Sequence, residues 1–312
     1  MPSERITISE VGARDGIQTE AAFIPTERKI ELIDALTATG LKRVEAASFV
    51  HPKVVPQMSD AAEVMRGIQR RPGTRIGAFV PNAKGAEAAL AAEVDDLKVG
   101  SAASEAFNEL NVRMPLEKNL AVLRDIASLA KGSASRLVGV VGTAFGCPYS
   151  GPVDVERVAR IVEAYSELGI ELTYLADTTG MASPREIRAA LEMLRPRFPA
   201  MTFGLHLHNT RGLGIANALA GLDLGVRDFE SSIGGLGGCP FAPRAVGNIS
   251  TEDFAHMAVQ MGYSVDADID ALIACAKLAE EIVGHSISGM VMKAGKSTDL
   301  HAVPRENAAA PR

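Results

Sequence analysis

The sequence predicts an α/β fold, a TIM (β/α)8 barrel with additional C-terminal helices, and three observations carry that expectation. Short runs rich in β-branched residues recur about every 30 residues, each is followed by a stretch with apolar residues at helical spacing, and the count of such pairs reaches eight. The strands read near Arg5–Glu10, Arg43–Ser48, Arg75–Val80, Asp96–Ser101, Arg136–Val141, Leu172–Asp177, Phe203–His208 and Asp228–Ile233. Strict alternation of this kind implies parallel strands joined by helices. Eight right-handed units of that type close into a barrel, whereas an open doubly wound sheet would carry a nucleotide-binding glycine loop after its first strand, which this chain lacks.

The helices announce their own ends. Pro25-Thr26-Glu27, Pro115-Leu116-Glu117, Asp154-Val155-Glu156, Ser183-Pro184-Arg185 and Ser250-Thr251-Glu252 each place a cap, a proline or an acid in a first turn. Gly40, Gly169, Gly225 and Gly262 stand where helices stop. Further helical sequence follows at Ala271–Val283, and the Ala- and Pro-rich stretch 301–312 reads as a disordered tail. The expected organisation is one domain over residues 1–300 with a C-terminal helical extension, since no linker divides the chain.

Composition narrows the function. With 312 residues, 47% of them hydrophobic, the chain can bury a sizeable core. A net charge of -6 argues against nucleic acid, whose phosphates demand clustered Lys and Arg. Met-Pro-Ser-Glu-Arg begins no apolar signal segment and no membrane-spanning run appears, so a cytoplasmic protein without a membrane partner is expected. Three cysteines, Cys147, Cys239 and Cys275, form no C-x-x-C pair and fit reduced thiols.

In such barrels chemistry gathers at the carboxyl ends of the strands. Here strand one runs into Arg14-Asp15-Gly16, strand two carries Glu45 and Ser48, strand six ends in Asp177-Thr178-Thr179-Gly180, strand seven carries His206 and His208, and strand eight opens into a glycine-rich loop holding Cys239. A structural reading of each is available: solvated loop residues, or ion pairs such as Arg14 with Glu45. For the set together a bound cation is the better account, because each buried carboxylate costs several kcal/mol unless positive charge answers it. His206 and His208, two apart on a strand, project from one face, as bidentate metal ligation requires. With Asp15 across the barrel, and Asn248 as fourth candidate, the mixed nitrogen and oxygen set favours Mg, Mn or a similar hard divalent ion.

At these residues the sequence closely resembles the 3-hydroxy-3-methylglutaryl-CoA lyases, a family of metal-dependent barrel lyases. The resemblance spans residues 5 to about 285. It rests on Glu10-Val11-Gly12-Ala13-Arg14-Asp15-Gly16-Ile17-Gln18, Glu45-Ala46-Ala47-Ser48-Phe49-Val50, Pro56-Gln57-Met58, Gly146-Cys147-Pro148-Tyr149, Asp177-Thr178-Thr179-Gly180 and Gly234-Gly235-Leu236-Gly237-Gly238-Cys239-Pro240. It implies retro-Claisen cleavage of an acyl-CoA thioester to acetyl-CoA and a keto acid, with magnesium or manganese held by Asp15, His206, His208 and Asn248. Arg14 would neutralise the enolate, Cys239 would exchange a proton with the acetyl carbon, and Glu45, Asp177 and Glu252 would support the site. Gln18, Ser48 and Arg211 join Arg14 as candidates for substrate contact, and a homodimer is expected.

The chemistry suits these residue types. Cleavage removes a proton from a tertiary alcohol while the departing fragment becomes a thioester enolate, so negative charge develops at both ends. A fixed guanidinium there can be worth about 3 kcal/mol, and a thiol is a suitable acid for the enolate carbon. For Cys239 a small buried hydrophobe is the alternative reading, but the surrounding glycines suit a loop that swings over the pocket. Cys147 and Cys275 read as packing residues at the end of strand five and within the late helix.

The chain also departs from the family. Where such lyases usually have His-Asp-Thr-Tyr-Gly it has His208-Asn209-Thr210-Arg211-Gly212, and Ala13, Thr19 and Ala21 replace the usual proline, asparagine and lysine. Arg211 either pairs with a differently placed substrate carboxylate or is a surface residue in the first turn of the next helix. The alternatives to the parent substrate are a citramalyl-CoA-type lyase and a condensing synthase of the isopropylmalate or homocitrate synthase type. Against the synthase stands the Gly-Gly-Cys-Pro loop, and against a silent CoA-ester-binding barrel stands the full set of chemical groups.

Overall fold

The computed structural model describes residues 4–238 and 246–302. Eight parallel strands, β1 (Arg5–Glu10), β2 (Arg43–Ser48), β3 (Arg75–Phe79), β4 (Asp96–Ala102), β5 (Arg136–Gly142), β8 (Leu172–Asp177), β9 (Thr202–Leu207) and β10 (Asp228–Ser231), close into a barrel when β10 pairs with β1. A two-residue hairpin, β6 (Gly146–Cys147) with β7 (Gly151–Pro152), follows β5, and β11 (Ser264–Val265) lies against the start of β1.

Helices α1 (Thr26–Ala38), α2 (Ala61–Gly67), α3 (Ala83–Ala91), α4 (Glu105–Val112), α5 (Leu116–Ala130), α6 (Val155–Glu167), α7 (Pro184–Arg197), α8 (Gly214–Asp223) and α9 (Thr251–Gln260) follow the barrel strands in turn, and α10 (Ile269–Val283) and α11 (Val291–Ala294) extend beyond. The expected starts hold: the Asp154 side chain caps α6, and Ser183 with Glu186 forms a reciprocal capping box on α7. No helix among the described residues is long and apolar enough to cross a membrane.

The predicted strands fall within two residues of the observed ones. The last run stops at Ser231 rather than Ile233, because Ser232 pairs with Ser250 and Ile233 enters a short 3-10 turn. The seventh stops at Leu207, and His208 continues as an isolated bridge to Asn248.

The apolar core lies between strands and helices. Ile8, Phe229, Leu205 and Leu175 on the outer strand faces meet residues such as Leu36, Ile161, Leu191 and Phe254. The register turns Ser9, Glu45, Gly77, Lys98, Val138, Tyr174, Gly204 and Glu230 toward the barrel interior, as a layer of the lining. Branched apolar residues usually fill such interiors; here four members of the layer carry charge or a phenol. Gly204 is required by it: a Cβ there would stand 2.5 Å from the Tyr174 ring, which crosses the barrel to place its hydroxyl 2.8 Å from Ser9 Oγ.

Candidate active site and metal centre

Immediately after β1 the chain makes a single π-helical turn, Gly12–Gly16, in which the Asp15 and Gly16 amides both donate to Val11 O. Wide turns of this kind cluster at functional sites. This one points Arg14 and Asp15, both buried, into the carboxyl-end mouth of the barrel.

His206 on β9 and His208 just past its end face Asp15. His206 Nδ1–H donates to Glu230 Oε2 at 2.9 Å, and His208 Nδ1–H donates to Val246 O at 3.2 Å. Each ring therefore carries a proton on Nδ1, and the two Nε2 atoms face each other 3.1 Å apart. Two lone pairs cannot hydrogen-bond to each other, whereas adjacent ligands of an octahedral divalent ion sit about 3 Å apart. One oxygen of Asp15 joins them, at 4.0 Å from His206 Nε2, and the three ligand atoms lie within 4.8 Å of one another.

Asp15 is otherwise fully engaged. Oδ1 accepts from Arg14 Nη1 at 2.6 Å and Gln18 Nε2 at 2.8 Å, and Oδ2 accepts from Asn248 Nδ2 at 2.9 Å. Burial would raise its carboxyl, but Arg14, His206, His208 and Asn248 together hold it well below the ordinary carboxylate range. Burial and the neighbouring His206 push His208 down to about 4, so at neutral pH its Nε2 is a free lone pair. Asn248 rides on an extended segment bridged to His208 and held by the Ile249 amide on Leu207 O. Among the described residues its Oδ1 is buried without a partner, an amide oxygen that a hard cation would satisfy. Gly237 lets the glycine loop pass this amide: it has φ +119, and a Cβ would fall 2.7 Å from Asn248 Nδ2.

Arg14 also pairs through Nε with Glu45, and its guanidinium stacks 5.5 Å above the Phe79 ring. Glu45 reaches this place from β2, where a bulge shifts the register between Glu45 and Ala47. Glu45 pairs with Gly77 and Ser48 with Phe79, so both face the barrel interior, whereas a regular strand would send them to opposite sides. Ser48 accordingly closes β2 buried at the mouth.

Sequence-predicted residues outside this cluster are placed as follows. Asp177, opposite Leu207 in the ladder, points to the outer face of β8 and accepts from the Met181 and Ala182 amides. It anchors the turn after the strand and makes no hydrogen bond to Asp15, His206 or His208; burial raises its carboxyl to about 6. Glu252, on α9, accepts from the Gly234 amide at 3.0 Å and so ties down the start of the glycine loop. Arg211 lies three residues before α8, in a turn rather than in the helix, and its Nη1 donates to Thr179 O at 3.0 Å and Gly180 O at 2.8 Å. It thereby staples the loop after β8 to the loop after β9. Cys239 falls outside the described residues. Cys147 is buried in the hairpin after β5, accepting from Ser104 Oγ, and Cys275 is buried in α10, as packing residues should be.

The sequence reading missed Lys98 and Glu230. Lys98, inward on β4, pairs with both Glu45 and Glu230. A signal for them exists: Asp96-Leu97-Lys98 and Asp228-Phe229-Glu230 place charges at alternate strand positions with apolar residues between, which marks a polar barrel interior. Three buried carboxylates, Asp15, Glu45 and Glu230, thus face two cationic side chains, Arg14 and Lys98. Negative charge is left over beside the two imidazoles, which fits a divalent cation.

The sequence profile of the HMGL-like family matches residues 5–279. The chain is 40% identical over 295 residues to a hydroxymethylglutaryl-CoA lyase of Bacillus subtilis, covering 95% of this chain and 99% of that one. It is 38% identical over 302 residues to an (R)-citramalyl-CoA lyase of Chloroflexus aurantiacus, covering 94% and 95%. Its fold matches the structure of an HMG-CoA lyase from Acinetobacter baumannii in complex with coenzyme A and 3-methylmalate, with a TM-score of 0.90, 40% identity and coverage of 96% and 98%.

Proposed function

The chain belongs to the HMGL-like family and is a carbon–carbon lyase of the hydroxymethylglutaryl-CoA lyase type, and from that premise we propose how its residues divide the work. The substrate is 3-hydroxy-3-methylglutaryl-CoA or a closely related 3-hydroxyacyl-CoA, cleaved to acetyl-CoA and a keto acid. The facing Nε2 atoms of His206 and His208, with an oxygen of Asp15 beside them, carry this reading, because a divalent cation satisfies all three together.

Asp15, His206, His208 and Asn248 would hold magnesium or manganese. When bound, the ion lowers the pKa of an alcohol placed on it and fixes that oxygen. Arg14, oriented on two sides by Asp15 and Glu45, presents its remaining guanidinium donors where the thioester oxygen gains charge. Cys239, on the glycine loop that Glu252 anchors at Gly234, would return a proton to the acetyl carbon. Gln18 and Ser48 line the same mouth. Asp177 acts from behind, holding the turn whose carbonyls receive Arg211. The protein is taken to work as a cytoplasmic homodimer, with residues 1–300 as one domain.

A second reading, a preference for citramalyl-CoA, is favoured by Arg211 in place of the usual tyrosine. Mass-spectrometric detection of acetyl-CoA from a panel of 3-hydroxyacyl-CoA thioesters, with and without Mg or Mn, tests both. Release from 3-hydroxy-3-methylglutaryl-CoA only with metal is expected. Faster release from citramalyl-CoA would favour the second reading, and turnover unaffected by chelation would overturn the metal assignment.

A further inference from the structure

The ion pairs at the mouth close into a ring. Arg14 Nε pairs with one oxygen of Glu45, and the other oxygen pairs with Lys98 Nζ. Lys98 Nζ also takes one oxygen of Glu230, whose other oxygen accepts from His206 Nδ1 at 2.9 Å. His206 Nε2 faces Asp15 Oδ2 at 4.0 Å, and Asp15 Oδ1 returns to Arg14 at 2.6 Å. Five separate stretches of chain meet in these six residues; Lys98 is buried, and among the described residues its one charged or aromatic partner outside the ring is the Tyr174 ring 5.7 Å away.

Resting on the metal-site reading above, we propose that Lys98 is a positioning residue that sets both halves of the site at once. Through Glu230 it fixes the Nδ1–H tautomer and ring orientation of His206, leaving Nε2 bare for the ion; through Glu45 it fixes the guanidinium of Arg14. A carboxylate can accept from His206 at a defined point only if its other oxygen is held, and here the ammonium holds it. The same ammonium balances two carboxylates that would otherwise repel across the barrel interior. Lys98 touches neither the ion nor the substrate.

The test is calorimetric titration with Mn2+ alone, together with kcat at saturating Mn2+, on three variants. Glu230→Gln is expected to weaken Mn2+ binding by about 10–100-fold, while Glu45→Gln leaves that affinity within about twofold and lowers kcat by a similar factor. Lys98→Met should show both losses. Loss of only one by Lys98→Met, or of neither, overturns the proposal. Should Lys98→Met not fold, the tautomer decides: 15N NMR of histidine-labelled wild type is expected to find the His206 proton on Nδ1, and a proton on Nε2 overturns the linkage. Wild type that binds no Mn2+ would instead overturn the metal site itself, while leaving the tautomer measurement to judge the ring.

Discussion

The two ends of the barrel interior are both built from ion pairs, yet they differ in how those pairs close. At the amino-end floor, Asp96 accepts from Arg75 and from Arg136, and Asp228 accepts from Arg43 at 2.5 Å. The arginines are partly exposed, water reaches them, and every carboxylate has its cation. At the mouth, carboxylates outnumber cations, two imidazole Nε2 atoms face each other, and the Asn248 oxygen has no partner among the described residues. A network whose task is to hold strands together completes itself, whereas one that binds leaves a defined deficit. The deficit, more than the density of charge, marks the functional end.

The contrast can be broken or sharpened at several points. His206→Ala should weaken Mn2+ binding by more than about 100-fold and abolish measurable thioester cleavage, since loss even of an outer partner costs 10–100-fold; retention of tight binding would mean the mouth is a closed network like the floor. Arg14→Gln should keep Mn2+ bound but lower kcat by about 100-fold, equivalent to ~3 kcal/mol of charge stabilisation, as steady-state kinetics would show.

Behind the mouth, Glu10 and Glu252 are buried and answered only by hydrogen bonds, so burial raises both to about 7 from 4.5. Each keeps its proton to higher pH folded than unfolded, so these groups lower stability as pH rises from about 4.5 to about 7 and no further above it. The effect is up to about 3 kcal/mol per group. Glu10→Gln, which can still accept from the Gly12 and Ile233 amides, should flatten that decline in urea denaturation followed from pH 5 to pH 8. An unchanged slope would mean that Glu10 ionises normally.

Asp96→Asn at the floor should cost about 1–2 kcal/mol of stability, less than a fully buried pair because Arg75 and Arg136 are over a third exposed. Mn2+ affinity and kcat should not move; a change in either would show that the two ends are coupled. Arg211→Tyr should have the smallest effect, reordering thioester preference by less than about tenfold, and an unaltered order would leave Arg211 only its role as a staple between loops.

Much of this was legible in the sequence for physical reasons. Strand and helix periods differ, so eight alternations could be counted, and the glycines at helix ends, Gly40, Gly169, Gly225 and Gly262, all adopt positive φ. Arg14, Asp15, His206 and His208 could be found because residues at strand ends must face the mouth. Lys98 and Glu230 were passed over because strands were judged by their apolar residues, and the alternate charges were not read as a lining. Ser48 was found through the resemblance, but strand periodicity could not put it on the same face as Glu45, since that follows from the extra residue in β2. Asp177 was found through its motif, but its ladder partner Leu207 shows that it faces the helix layer.

That extra residue has a consequence for how such a pocket can diversify. Removing Ala46, the residue without a ladder partner between Glu45 and Ala47, would restore the regular pleat and leave Ser48 opposite Phe79 on the inner face, without altering any ion-pairing side chain. Substitution at the inward Ser48, rather than a change of strand length, would then be the sharper tool for redesigning which acyl groups the mouth admits.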